Sequence, residues 1–351
     1  MVPGPYTRYA QYARNVAQLG FVSTSFFCFL IIILTTFFLK RKFGSYKYLL
    51  IVFPACGIVF ASIEFLIYPD VYFHNTGYVF YSTSHPFYLD RDSVTCLISF
   101  YTGVYACTTS LLSVQFLYRY WAVFHTTKLK LFKGWKFFIW MVYALFFGIL
   151  WCLSVHSLGK RDDYSENYMR LGMKQKYNLN ISDISAIILV TYNADGSIRW
   201  RNFLLSLSLT SIMLVQYTII IYCAVQMYLS MEEKLQIPSP SLRNLHNQFF
   251  KTLVLQIVTP TITLFSPVVS IIHLPMLNLE LDLPTGIFLC AFTLYPAMDA
   301  IIVMYVVQDY RRAVKYSLRK LASPLYEWLV RNYGNPMESR SQTANVPNAL
   351  Y

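Results

Sequence analysis

Charge is what this sequence has least of. Asp, Glu, Lys and Arg make up 13% of its 351 residues, roughly half the share of a soluble globular domain. Hydrophobic residues make up 56% and fall in long blocks that no water-soluble core requires. Zinc-type pairing is missing from the seven cysteines (Cys28, Cys56, Cys96, Cys107, Cys152, Cys223, Cys290). All lie in or beside apolar blocks, so they read as small buried hydrophobes. The six histidines show no HxxxH or HExxH spacing, which leaves metal chemistry unsupported. No cluster of histidines and acids shares one depth, so neither an enzyme nor a cofactor is expected. The net charge of +12 comes without a basic stripe interleaved with stacking aromatics, which argues against nucleic acid.

What is present is a polytopic membrane protein. Seven runs are long and apolar enough for spanning helices: Leu19–Leu39, Tyr48–Tyr68, Val94–Tyr118, Phe137–Leu158, Phe203–Met227, Thr252–Leu274 and Gly286–Val307. The first is too long and too late for a cleaved signal peptide and reads as an uncleaved anchor. Nineteen basic residues fall on the tail side and ten on the other, seven of these in the loop Gly159–Asn202. Long loops weigh less in orientation, so the N-terminus is expected outside and the tail in the cytoplasm. The sequon Asn180-Ile181-Ser182 falls in an outward loop, which makes Asn180 a candidate glycosylation site.

The same loop holds AIILVTYNADGSIRW, with β-prone runs flanking Asp195-Gly196; the spacing predicts a small β-hairpin. The expected organisation is an outward segment 1–18, a seven-helix domain 19–307, an amphipathic helix 308–330 on the inner leaflet and a disordered tail 331–351. The amphipathic reading rests on Tyr310, Val314 and Leu318 at helical spacing with cations between them. The tail reading rests on its Asn, Ser and Pro content.

Four stretches narrow the class. FGSYKYLLI opens span two, FLYRYWAV closes span three, QFFKTLVLQIVTPTI opens span six, and LYPAMDAIIVMYVVQDYRRAV carries span seven into the tail. Together, in this order, they resemble the nematode seven-transmembrane chemoreceptors of the Str family, which includes odorant receptors, over about Phe43 to Leu321. The resemblance implies an all-α seven-helix membrane receptor in a sensory neuron, in the plasma membrane and its cilium. Its implied partners are a small external chemical, a heterotrimeric G protein and membrane lipid. The chain departs from the rhodopsin-like pattern in three respects. The loop after span four has no cysteine to bridge to Cys96, span two has no mid-membrane aspartate, and YRY stands where an acidic residue usually precedes the arginine.

Arg119, between Tyr118 and Tyr120, reads either as an interfacial anchor or, given the resemblance, as a piece of the surface that meets the G protein. Asp299, three residues after Pro296 in span seven, is either a polar hub of a switch or a static hydrogen-bond node. Pro260 and Pro267, seven apart in span six, each remove a ladder hydrogen bond and are candidate hinge points. Climbing about 18 residues outward from Arg119, roughly 27 Å, reaches Tyr101, with Thr102 beside it and Tyr105 a turn below. Thr261, Phe265, Phe292 and Tyr295 lie at comparable depth. Glu64, near the outer end of span two, either snorkels to water or faces this pocket and meets a donor on the ligand or on span seven. No aspartate on span three stands ready for an amine, so a small, neutral, largely apolar ligand is expected. A seven-span channel or transporter is the alternative. No polar pore rings and no repeated broken helices support it.

Overall fold

Seven apolar helices carry the chain back and forth, and the computed structural model describes them over residues 6–38, 45–234, 254–279, 282–306, 310–316 and 319. They are α1 (Thr7–Ile33, extended by a π turn Leu34–Phe38), α2 (Tyr46–Ile67), α3 (Arg91–Phe124) and α4 (Phe137–Leu158). After a non-spanning helix, α5 (Asp163–Tyr177), come α6 (Trp200–Lys234), α7 (Val254–Leu277) and α8 (Gly286–Val306). Six are long and strongly apolar. The seventh, α8, contributes 21 residues interrupted by Pro296. A bilayer demands this economy, because a helix satisfies its own backbone groups where no water can.

α3 is the axis of the bundle. At 34 residues it is about 51 Å long, well beyond the hydrocarbon core. Some 78% of its apolar window is buried, against 22% for α4. Asp90 caps it, its carboxylate accepting from the backbone N–H of Asp92 and Ser93.

The connections at the N-terminal end of the bundle build a four-stranded antiparallel sheet of β1 (Asp70–His74), β2 (Gly77–Ser82), β3 (Ser185–Val190) and β4 (Asp282–Pro284). Its order is β3-β2-β1-β4. The turn between β1 and β2 places Asn75 at φ +47°, a left-handed conformation that asparagine tolerates. Alternate residues then face opposite ways. Val71, Phe73, Tyr78, Phe80, Ile187 and Leu189 join the core of the bundle, while Tyr72, Val79, Tyr81, Ile188 and Val190 pack with Met169, Met173 and Tyr177 of α5.

The loop Gly159–Asn202 is thus more ordered than its sequence suggests. The expected hairpin is there in shortened form, one bridge between Tyr192 and Ile198 around Gly196 at φ +80°. The larger partner of β3, however, is β2. α5 lies beyond the sequence expectation; it opens on a reciprocal capping box between Asp162 and Ser165. Among the described cysteines, Cys28 and Cys223 are buried as expected and Cys96 is exposed.

Residues 310–316 are helical, with Tyr310 and Ala313 buried and Arg311, Arg312 and Lys315 exposed. Most of the expected inner-leaflet helix and all of the tail 331–351 lie outside the described residues.

Candidate functional site: an apolar cavity and an arginine node

Between the sheet and the centre of the bundle lies a cavity of about 70 Å³, room for roughly five water-sized bodies. Val71, Tyr78, Phe80 and Ile187 of the sheet roof it. Its walls are Tyr101, Thr102 and Tyr105 of α3, Trp151 and Val155 of α4, Leu205 and Leu209 of α6, Val268, Ile271 and Ile272 of α7, and Leu289 and Phe292 of α8. The Tyr105 ring lies 5.5 Å from Trp151 and 5.4 Å from Phe292, and Tyr101 stacks on Phe60 of α2 at 4.7 Å.

The hydroxyl protons of the wall are already committed. Tyr101 donates to Glu64 Oε2 (2.7 Å), Tyr105 to the Leu264 carbonyl (3.0 Å) and Thr102 to the Ser99 carbonyl (2.7 Å). The Trp151 indole N–H, by contrast, has no acceptor among the described residues, so the lining is apolar apart from one uncommitted donor. Tyr105 and Thr102 retain oxygen lone pairs for a ligand that donates.

Of the eight residues that the sequence marks for ligand contact, four line this cavity: Tyr101, Thr102, Tyr105 and Phe292. Tyr295 lies fully buried with its ring 6.2 Å from Phe53, outside the cavity lining. Thr261 and Phe265 line a different cleft, between α6 and α7. Glu64 does not snorkel. It is buried between helices, accepting from Tyr101 of α3 and from Thr293 Oγ1 of α8 (3.2 Å). Trp151 and the roof carry no mark in the sequence; only the three-dimensional arrangement brings them to one place.

At the far end of α3 sits the arginine. Arg119 Nε donates to the Tyr46 hydroxyl of α2 (2.9 Å), and a second guanidinium nitrogen donates to Gln256 Oε1 of α7. Tyr118 stacks on Tyr46 at 4.7 Å, and the Tyr120 ring meets Tyr222 of α6 edge-on at 6.1 Å. Arg119 is therefore a three-helix node. Gln256 and Tyr46 are not among the residues the sequence singles out, although both lie within the blocks FGSYKYLLI and QFFKTLVLQIVTPTI.

One helix joins the two regions. α7 departs from α-geometry in a π turn, Thr261–Phe265, placed between Pro260 and Pro267. Its closing bond runs from the Ser266 N–H to the Thr261 carbonyl. Such turns arise where the ladder loses donors, as proline requires. Leu264, within this turn, receives the Tyr105 hydroxyl, and Gln256, one turn before Pro260, receives Arg119. On α8, the Pro296 ring lies where a side chain at Gly57 of α2 would be, and Asp299 is buried a turn further on.

Outside the membrane helices, Asp70 of β1 holds the start of α8. Its carboxylate accepts from the Val71 N–H (2.8 Å) and the Tyr81 hydroxyl (3.0 Å) and abuts Gly286, the first residue of α8. A side chain at 286 would collide with that carboxylate. Burial pushes Asp70 up to about 6, against the hydrogen bonds of Val71 and Tyr81.

Seven spanning helices, with an apolar cavity near one end and a polar node at the other, place the protein in the seven-transmembrane class. Comparison with known proteins is more specific. The model of the serpentine type 7TM GPCR chemoreceptor family Str matches residues 13–315, and the chain belongs to that family. It is 35% identical over 308 residues to the G-protein coupled receptor str-33 of Caenorhabditis elegans, covering 86% of this chain and 89% of that protein. It is 27% identical to the serpentine receptor class r-10 of the same organism, over 78% of this chain and 81% of the relative.

Proposed function

We propose that the protein binds a small, neutral, largely apolar external chemical in the roofed cavity and signals through a heterotrimeric G protein docking at the Arg119 end. The observation that carries this reading is the continuity of α7. The helix whose π turn accepts the hydroxyl of a cavity tyrosine also supplies the glutamine that holds Arg119. A ligand that displaces Tyr105 acts on the turn, and a change of pitch there moves Gln256 relative to Arg119.

The charge asymmetry supports an outward N-terminus and sheet, a cytoplasmic Arg119 end and tail, and an inner-leaflet helix over 308–330. Family membership supports a sensory neuron and its cilium as the place of action. The wall hydroxyls already donate, so their oxygens can accept from an alcohol, while the Trp151 indole N–H, which has no acceptor among the described residues, can donate to the oxygen of a ketone or ester.

The test is a panel of small alcohols, ketones and esters applied to cells carrying the receptor and a G-protein reporter. Ile187→Trp and Phe292→Trp, each filling the cavity, should abolish the response while surface expression persists. A response indifferent to both would place the ligand elsewhere, and a current surviving removal of G-protein signalling would favour a channel.

A further inference from the structure

The roof of the cavity is closed. Phe80 is 8% exposed, Tyr78 6%, Ile187 4% and Val71 1%. The other face of the sheet is covered in turn by Met169, Met173 and Tyr177 of α5. A molecule arriving from water would have to pry apart a double layer of packed side chains. Of the cavity lining, only Thr102 and Ile271 are partly exposed, and both belong to membrane helices.

Beside Ile271, the outer halves of α6 and α7 diverge into a cleft of about 260 Å³. It shares one wall residue, Ile272, with the cavity. At one end Thr210 Oγ1 pairs with His273 Nε2 (3.1 Å), and at the other Tyr217 pairs with Thr261 (3.3 Å). Between these pairs the wall is apolar apart from Ser266, with Leu214 64% and Val269 45% exposed on its outer rim. Polar side chains on a lipid-facing seam are costly and rare, and here two pairs bracket a single apolar opening.

We propose that this cleft is a membrane-side vestibule: it takes up a small, neutral, apolar molecule dissolved in the bilayer and passes it between Ile271 and Ile272 into the cavity. The molecule partitions first into lipid, so the bilayer concentrates it at the cleft. A single oxygen on it can exchange with the Thr210–His273 hydrogen bond as it enters. Thr261 and Phe265 then serve the entry route rather than the final site. The proposal rests on the cavity being the ligand site.

The test needs neither agonist nor G protein, so its outcome is separable from that of the functional reading. Full-length receptor with Leu209→Cys, which points a thiol at the cavity, is placed in proteoliposomes. It is exposed to ethyl methanethiosulfonate, which enters the bilayer, or to its trimethylammonium analogue, which does not. Modification at position 209 is followed by mass spectrometry, with the wild-type chain reporting on the native cysteines. The apolar reagent should react and the charged one should not. Adding Leu214→Trp or, separately, Val269→Trp on the half-exposed rim should slow the apolar reaction about tenfold. Labelling in detergent shows that each thiol is competent, and a melting temperature matching that of the parent shows that each variant is folded. Equal rates for the two reagents would make the roof the entrance. A rate unchanged by both tryptophans would reduce the cleft to a lipid groove, and no reaction with either reagent would mean that cleft and cavity do not communicate. Each of these outcomes overturns the proposal.

Discussion

The Tyr105 hydroxyl donates across 3.0 Å to the carbonyl oxygen of Leu264, inside the π turn that interrupts α7. A π turn leaves a carbonyl available that a regular helix would use, and a cavity residue takes it. Tyr105→Phe keeps the aromatic wall and loses only this bond. It should lower stability by about 1 kcal/mol and raise ligand-free reporter activity, because the turn loses its restraint. Unchanged basal activity with the expected loss of stability would make the bond purely structural.

Arg119 offers a pair of variants with opposite outcomes. Gln256→Ala removes the contact on α7 and leaves the guanidinium in place, so basal signalling should rise. Arg119→Ala removes the charge itself and should weaken G-protein activation at normal surface expression, by a contact worth roughly 1.5–3 kcal/mol. Full signalling by a well-expressed Arg119→Ala receptor would return the residue to the role of interfacial anchor.

Glu64 binds three helices together from within the membrane. Glu64→Ala removes the acceptor that the Tyr101 and Thr293 hydroxyls share, at a cost of about 1–3 kcal/mol. Surface expression should fall sharply, and Glu64→Gln, which preserves an acceptor, should restore most of it. Equal expression of the two variants would show that the carboxylate is not needed to hold the bundle.

Asp70 makes the sheet end of the bundle sensitive to pH. Its carboxyl is raised from 3.8 to about 6, so the folded protein holds this proton more tightly than the unfolded chain. Its contribution to stability is fully present below pH 3.8 and is lost as pH rises through about 6. Asp70→Asn should therefore flatten the melting temperature of the purified receptor between about pH 4 and 6.5. The wild-type trend unchanged in the variant would assign the titration to another group.

Asn180 is exposed and heads a short 3-10 turn, its side chain donating to Asp183 (3.0 Å). Expression in eukaryotic cells should give a mobility shift that a glycosidase removes and Asn180→Gln abolishes. A C-terminal tag accessible on intact cells would reverse the orientation altogether.

The seven helices are legible from composition because a spanning helix must satisfy its backbone within itself, so each apolar run carries its own instruction. The prolines of span six are legible for the same local reason. The sheet is not. Its strands come from three separate connections, and it is buried on both faces. The polar half of a strand's alternation, the usual signal, is therefore missing from DVYFH and GYVFYS. Burial by the sheet and neighbouring helices also decides Glu64. Near a helix end the sequence allows a carboxylate to reach water, but Tyr68 turns the chain at φ +42° into β1, which closes over that end. The partner of Arg119 is out of reach for a different reason. Its charge and aromatic neighbours mark it as special, but nothing local selects Gln256, 137 positions away, as its acceptor. That choice belongs to the packing of α3 against α7.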